Sequence, residues 1–186
     1  NEAGADEWRG AGGPMHITNA RPAVHPLTQR YLKAAEQAGL PLNPDFNGAA
    51  QEGVGVYQIN TKGGRRMSAA RAFLRPAMKR PNLRVETNAL ATRILFEGKR
   101  AIGVEYEQHG KTVVARAAHE VIVSAGSVNS PQLLQLSGVG PGKLLQDLGI
   151  PVVLDNGNVG ANLQDHIGIN YTFRGRKPTL NQVLRP

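Results

Sequence analysis

The chain predicts an α/β fold with α+β elements, in which parallel and antiparallel β-structure stand side by side. Three observations carry this reading. The segments ALATRILFE, RAIGVEYEQ and KTVVARA follow one another between residues 89 and 117, with tight links at Gly98-Lys99 and His109-Gly110. Links this short join antiparallel neighbours, so the three segments make a meander. Next, EVIVS at 120–124 is nearly continuous in apolar residues, the pattern of a short strand covered on both faces in a parallel sheet. That run passes through Ala125-Gly126 directly into SPQLLQLSG, a helical sequence, as in a strand–turn–helix unit.

The remaining elements follow in order. Residues 1–24 hold few large apolar groups, set among glycines and prolines, and read as a long loop or extended arm. HPLTQRYLKAAEQAG then reads as a helix, with Pro26 in the first turn and Gly39 just past the end. Leu27, Tyr31, Leu32, Ala35 and Ala38 recur at three-to-four spacing and define its apolar face. Residues 40–53 are loop, with an Asn47-Gly48 turn. VGVYQIN at 54–60 alternates weakly, as a strand does, and Lys62-Gly63-Gly64 turns it. Ser68 is placed to cap a helix from Ala69 to about Met78. LRVET at 83–87 is a short strand ahead of the meander. After the helix near 130 come PGKLLQDLG as a second short helix, Ile150–Leu154 as a strand, and IGINYTF at 167–173 as a further alternating segment.

Composition narrows the function classes. There is no cysteine, which excludes disulfides, thiolate metal sites and cysteine catalysis, and fits a reducing compartment. No run approaches the length of a transmembrane helix, and no basic start leads into an apolar run. The expected location is cytoplasmic, with peripheral membrane association left open. The net charge of +8 comes from 22 basic and 14 acidic residues. Lys62 to Arg84 contains eight basic residues and no acidic one, so this stretch accounts for the whole excess. It reads as a solvated helix face, as a groove for a phosphate-bearing cofactor or acidic partner, or as a nucleic-acid or other polyanion-binding module. No helix-turn-helix, zinc-finger or RNP-like pattern supports nucleic acid.

The strand-to-helix passage at 120–137 is where ligand chemistry is most readily placed. Such a turn brings backbone amides to the carboxyl edge of a sheet, where ligands bind in open α/β folds, and a helix amino terminus favours phosphate. A plain βα turn, in which Gly126 only permits the bend, reads equally well. Neither G-x-G-x-x-G after this strand nor G-x-x-x-x-G-K-[ST] anywhere is present. The five histidines show no metal-ligand spacing, so no metal is expected. Asp165-His166 closes NVGANLQDH, where a carboxylate could orient an imidazole or the pair could form a hydrogen-bonded corner. A hydrolase using them with a serine lacks its G-x-S-x-G elbow.

Gly126 to Gly140, GSVNSPQLLQLSGVG, resembles the second signature of the glucose–methanol–choline (GMC) oxidoreductases, a flavoprotein family of alcohol-oxidising enzymes. GADEWRGAGGP, DFNG, GRRMSAARAFLRP, RPNLRVETNA, RAIGVEYE, HEVIVSAGSVNSP and VGANLQDH stand in the family's order, from about Gly4 to His166. The chain is most similar to choline-dehydrogenase-like bacterial members.

The resemblance implies a two-dinucleotide-binding-domain FAD fold plus part of a substrate domain. Residues 1–80 then cover the flavin or belong to the substrate domain. Residues 81–160 are FAD-binding domain with the meander at 89–117, Val121–Val123 rejoining the parallel sheet. Residues 161–186 begin the substrate domain. The cofactor implied is FAD and the substrate a small alcohol, with oxygen or another acceptor taking the electrons. The family's glycine fingerprint and catalytic histidine region have no counterpart among these residues, so the chain matches the middle of such an enzyme and no catalytic residue is carried over. The cofactor contacts implied are the main chain of Ala91 at the adenine, Ser124, Ala125 and Gly126 at the nucleotide half, and Asp165 and His166 near the passage to the substrate domain. Taken alone, the segment is expected to self-associate through unpaired strand edges.

Overall fold

The structure is a computed structural model describing residues 1–172, 174 and 176–179. Two compact units divide it: Asn1–Val85 with the described residues of Tyr171–Pro186, and Glu86–Asn170.

In the first unit, helix α1 spans Pro26–Gln37. His25 caps it, its Nδ1 accepting the Leu27 amide at 3.2 Å, and Pro26 needs no amide partner in the first turn. Gly39, at φ +89°, ends it in the left-handed conformation. Its apolar face is only partly covered: Leu27, Leu32 and Ala35 are half-buried, whereas Tyr31 and Ala38 are exposed. Buried Asn43 organises the following loop, donating from Nδ2 to the carbonyls of Ala50 (2.8 Å) and Glu52 (3.1 Å) and accepting the Asp45 amide at Oδ1. The ring of Phe46 lies 4.7 Å from that of Tyr57.

VGVYQIN does not form the expected strand. Its ends make single bridges, Val54 with Leu42 and Ile59 with Thr18, because the facing segments run alongside for only one residue each. A two-residue ladder follows, β1 (Thr61–Lys62) with β2 (Arg65–Arg66). The helix expected after Ser68 begins as a π-turn, Ala70–Leu74, and continues as α2, Arg75–Ala77. Ser68 Oγ accepts the Arg71 amide at 3.3 Å.

The second unit is built on the meander, as its short links predict: β3 (Ala89–Glu97), β4 (Arg100–Gln108) and β5 (Lys111–Arg116), in the order β3-β4-β5. Gly98 and His109-Gly110 take the positive φ these hairpins need. Register shifts leave an extra residue at Thr92 of β3 and at Ile102 of β4, and bend the two strands there. Helix α3 (Gly126–Leu136) packs on β3, and α4 (Gly142–Asp147) follows. β6 (Val139–Gly140) and β7 (Leu154–Asp155) pair in parallel across α4. The core gathers Ile94 of β3, Leu133 of α3 and Leu145 of α4. Burying each such side chain contributes about 1.5–3 kcal/mol.

Two further expected strands are absent. LRVET at 83–87 and EVIVS at 120–124 form no strand. Val121–Val123 therefore do not rejoin a parallel sheet among the described residues, where the parallel ladder is that of β6 with β7. A strand buried on both faces needs neighbours on both edges, and without them Ile122 stands 77% exposed. IGINYTF likewise carries no ladder from 167 to 172, and its last residue, Phe173, lies outside the described residues, as does most of the tail.

Candidate functional site

The passage into α3 positions the first group of candidate residues. Ser124, Ala125 and Gly126 are all exposed. Ala125 donates its amide to Ser130 Oγ at 3.0 Å, which ties the turn back to the helix it precedes. Gly126 has φ +89°, and a β-carbon built there would meet nothing within 4 Å. Glycine is required by backbone conformation, and the space over its Cα is open to a ligand. The first amides of α3 have no intrahelical acceptor. The donor set is therefore main-chain amides beside an open surface, with no charged side chain.

Alongside α3 runs the segment that ends in Asp165-His166. Gln135 Nε2 donates to the Val159 carbonyl at 2.9 Å. A cavity of about 290 Å³ opens between them, lined by Ser127, Val128, Pro131, Gln135, Gly160 and Leu163 among others. The fold thus brings the VGANL stretch to the helix that starts at Gly126. Asp165 and His166 lie beyond it, both exposed. Asp165 Oδ1 accepts the main-chain amide of His166 at 2.7 Å.

Ala91 sits on β3 opposite Tyr106, directly before the bulge at Thr92, and is exposed. Thr92 Oγ1 donates to the Glu105 carbonyl at 3.1 Å. Ala91 does not line the α3 cavity.

Several organising residues carried no readable signal. Ser137, inside the SGVG run, is buried. Its Oγ accepts the Ile94 amide and donates to the Leu133 carbonyl. Asp155 Oδ1 accepts the Gly142 amide at 2.7 Å, capping α4 from 13 residues away. In the first unit, Arg9 forks onto Asp6 and Asp45. Its side-chain bonds hold both carboxyls below the usual carboxylate range, and Asp45 and Asp6 in turn raise the guanidinium. Arg9 Nη1 is buried without a protein partner among the described residues. An arginine and two acids in separate loops cannot be paired from sequence without a close local spacing; only Asp6, three residues from Arg9, offered one.

With the geometry in place, comparison with known proteins defines the class. The family model for GMC oxidoreductase matches residues 3–168, and the chain belongs to that family. Among curated relatives, the mitochondrial choline dehydrogenase of Homo sapiens is 46% identical over 187 residues, covering 100% of this chain and 31% of the relative. The oxygen-dependent choline dehydrogenase of Rhizobium johnstonii is 47% identical over 178 residues, covering 96% and 32%. The chain thus spans about a third of the length of these relatives. Among solved structures, an FAD-dependent oxidoreductase from Chaetomium thermophilum aligns with TM-score 0.74 and 34% identity, over 79% of this chain and 26% of that one. A pyridoxine 4-oxidase from Mesorbium loti aligns with TM-score 0.73 and 31% identity, over 79% and 29%.

Proposed function

We propose that this chain forms the central part of an FAD-dependent enzyme that oxidises a small alcohol, choline-like or another primary alcohol, to the aldehyde. The observation that carries the reading is the 46–47% identity to choline dehydrogenases across essentially the whole chain. The residues present fit the nucleotide half of FAD. Gly126 offers open space over a left-handed backbone, the first α3 amides beside it have no intrahelical acceptor, and Ala91 is exposed beside a bulge.

In this reading Ser124, Ala125 and Gly126 hold the nucleotide through main chain, with Ser130 stiffening the turn. Ala91 contributes main chain at the adenine, and Asp165 and His166 flank the passage toward the substrate. When bound, FAD supplies the acceptor for the hydride of the alcohol carbon. No residue of this chain is assigned the hydroxyl proton. Residues 1–80 belong to the flavin-covering and substrate portion, 81–160 to the FAD-binding domain and 161–186 to the start of the substrate domain. The cysteine-free composition supports a cytoplasmic setting. No helix among the described residues is long and apolar enough to cross a membrane.

The test is a chimera in which this chain replaces the matching stretch of the Rhizobium johnstonii enzyme. The chimera is expected to elute yellow from gel filtration and to oxidise choline. A chimera folded by circular dichroism but colourless overturns the cofactor assignment. A yellow one that turns over other alcohols and not choline overturns the choline-like substrate class.

A further inference from the structure

Asn-Gly occurs twice in the chain, at Asn47-Gly48 and Asn156-Gly157, and the fold treats the two pairs differently. We propose that Asn156-Gly157 is a self-modifying site, at which Asn156 converts through a cyclic imide to aspartate or isoaspartate, and that the isoaspartate form releases the following loop from α3. The reaction is fastest with glycine next in the chain, because a residue without a side chain lets its nitrogen approach the asparagine closely.

At Asn156 the attacking and the attacked groups are both available. Asn156 and Gly157 are exposed, and the Gly157 amide, outside any helix or strand, donates to no acceptor among the described residues. Asn156 Oδ1 accepts the Asn158 amide at 3.0 Å. That bond folds the side chain back along the intervening Gly157 peptide and polarises the carbonyl at Cγ. The same N–H stabilises the negative charge that Oδ1 acquires when Cγ is attacked. Asn47-Gly48 is built otherwise. Gly48 is half-buried and its amide already donates to the Asp45 carbonyl at 3.2 Å. Asn47 uses its own amide on Asp45 Oδ1 at 2.9 Å, and its side-chain carbonyl accepts no amide among the described residues.

The step balances with water as the one co-reactant. The Gly157 nitrogen bonds to Cγ and gives up its proton, the Cγ–Nδ2 bond breaks, and the amino group leaves with a proton as ammonia. Water then opens the imide. Attack at Cγ restores the ordinary chain with aspartate at this position. Attack at the main-chain carbonyl breaks its bond to Gly157 and leaves the chain running through Cγ as isoaspartate, one main-chain carbon longer. The added carbon falls between two anchors. The Asn156 amide donates to the Gly140 carbonyl at 2.8 Å, and the Val159 carbonyl accepts Gln135 Nε2 at 2.9 Å. The Val159 amide closes the turn between them on the Asn156 carbonyl at 3.3 Å. In isoaspartate that carbonyl becomes a free carboxylate branching from the chain, so the turn loses its closure and Val159 its alignment with Gln135.

The experiment is incubation of the full chain in mildly alkaline buffer made with heavy-oxygen water, followed by peptide mapping in a mass spectrometer, with isoaspartate located by electron-transfer fragmentation. In the folded chain the Asn156 peptide is expected to take up heavy oxygen several-fold faster than the Asn47 peptide. In urea, which unfolds both turns, the two rates should converge. Gly157 has an ordinary backbone conformation and open space where a β-carbon would stand, so Gly157→Ala keeps the fold and should slow the conversion of Asn156 several-fold. Hydrogen exchange across residues 159–163 should rise in the isoaspartate form and stay unchanged in Asn156→Asp, which adds the charge without the extra carbon. Equal rates at the two asparagines in the folded chain, faster conversion at Asn47, an undiminished rate in Gly157→Ala, or unchanged exchange in the isoaspartate form would overturn the proposal.

Discussion

Ser137 and Ile94 are 43 residues apart in sequence and joined by a buried hydrogen bond. The Ile94 amide donates to Ser137 Oγ at 2.8 Å, and the same hydroxyl donates to the Leu133 carbonyl at 2.5 Å. β3 is an edge strand, so this serine satisfies a main-chain donor that no neighbouring strand reaches. One side chain thereby fastens the end of α3 to the meander.

Ser137→Ala removes the acceptor and leaves a buried amide unpaired. A loss of about 1–3 kcal/mol is expected, read as a lower urea midpoint. Ser137→Thr keeps the hydroxyl and should recover part of the loss. An unchanged midpoint in the alanine variant would show that water replaces the hydroxyl.

Two glycines with nearly the same backbone should respond differently to substitution. Gly138 (φ +88°) and Gly126 (φ +89°) are both left-handed. At Gly138 a β-carbon would fall on the Pro151 carbonyl oxygen and close to the Val153 side chain, whereas at Gly126 it meets open space. Gly126→Ala should cost the left-handed strain alone, about 1–2 kcal/mol. Gly138→Ala adds a backbone collision and should cost clearly more. Comparison of the two denaturant midpoints checks the order.

In the yellow chimera, the same open space at Gly126 is assigned to the nucleotide. Gly126→Val should reduce flavin retained after gel filtration by more than the stability loss explains, while Ala91→Ser should leave it nearly unchanged because a main-chain contact survives. Normal flavin content and activity in the valine variant would displace the site from this turn.

Arg9 makes the arm acid-sensitive. Asp6 and Asp45 have folded pKa values below their unfolded ones because Arg9 bonds both. Their stabilisation is complete above the unfolded carboxylate value of about 3.9 and is lost as pH falls through the lower folded values. Hydrogen exchange across residues 1–19, corrected for intrinsic rates, should therefore rise relative to α1 only below about pH 4. Arg9→Gln should raise exchange of the arm at neutral pH and abolish the acid step.

The 186-residue chain by itself should not retain added FAD or oxidise choline. The stretch at 119–124 leading into Gly126 belongs to no strand ladder among the described residues, and Ile122 lies bare on it. Such an edge pairs readily with another copy. Gel filtration should give an apparent mass above the 19.9 kDa of one chain, without flavin absorbance. A yellow, active monomer would contradict both expectations.

Local pattern determined what local physics controls. The meander was legible because alternation sets each strand and a two-residue link forces antiparallel return. Helix α1 was legible from its spacing, its Pro26 start and its Gly39 stop, and the family from signature blocks running from Gly4 to His166. Tertiary structure decided whatever needed a partner distant in sequence. EVIVS has the composition of a central strand but is not one here, since strand structure requires a neighbour's hydrogen bonds and none is supplied among the described residues. Ser137, Asp155 and the Arg9 fork acquire their roles only when chain segments 43, 13 and 36 residues away arrive beside them. Polar side chains are unremarkable in sequence because the groups they satisfy are main-chain amides or acids elsewhere, and only the folded backbone determines which of those are left without a partner.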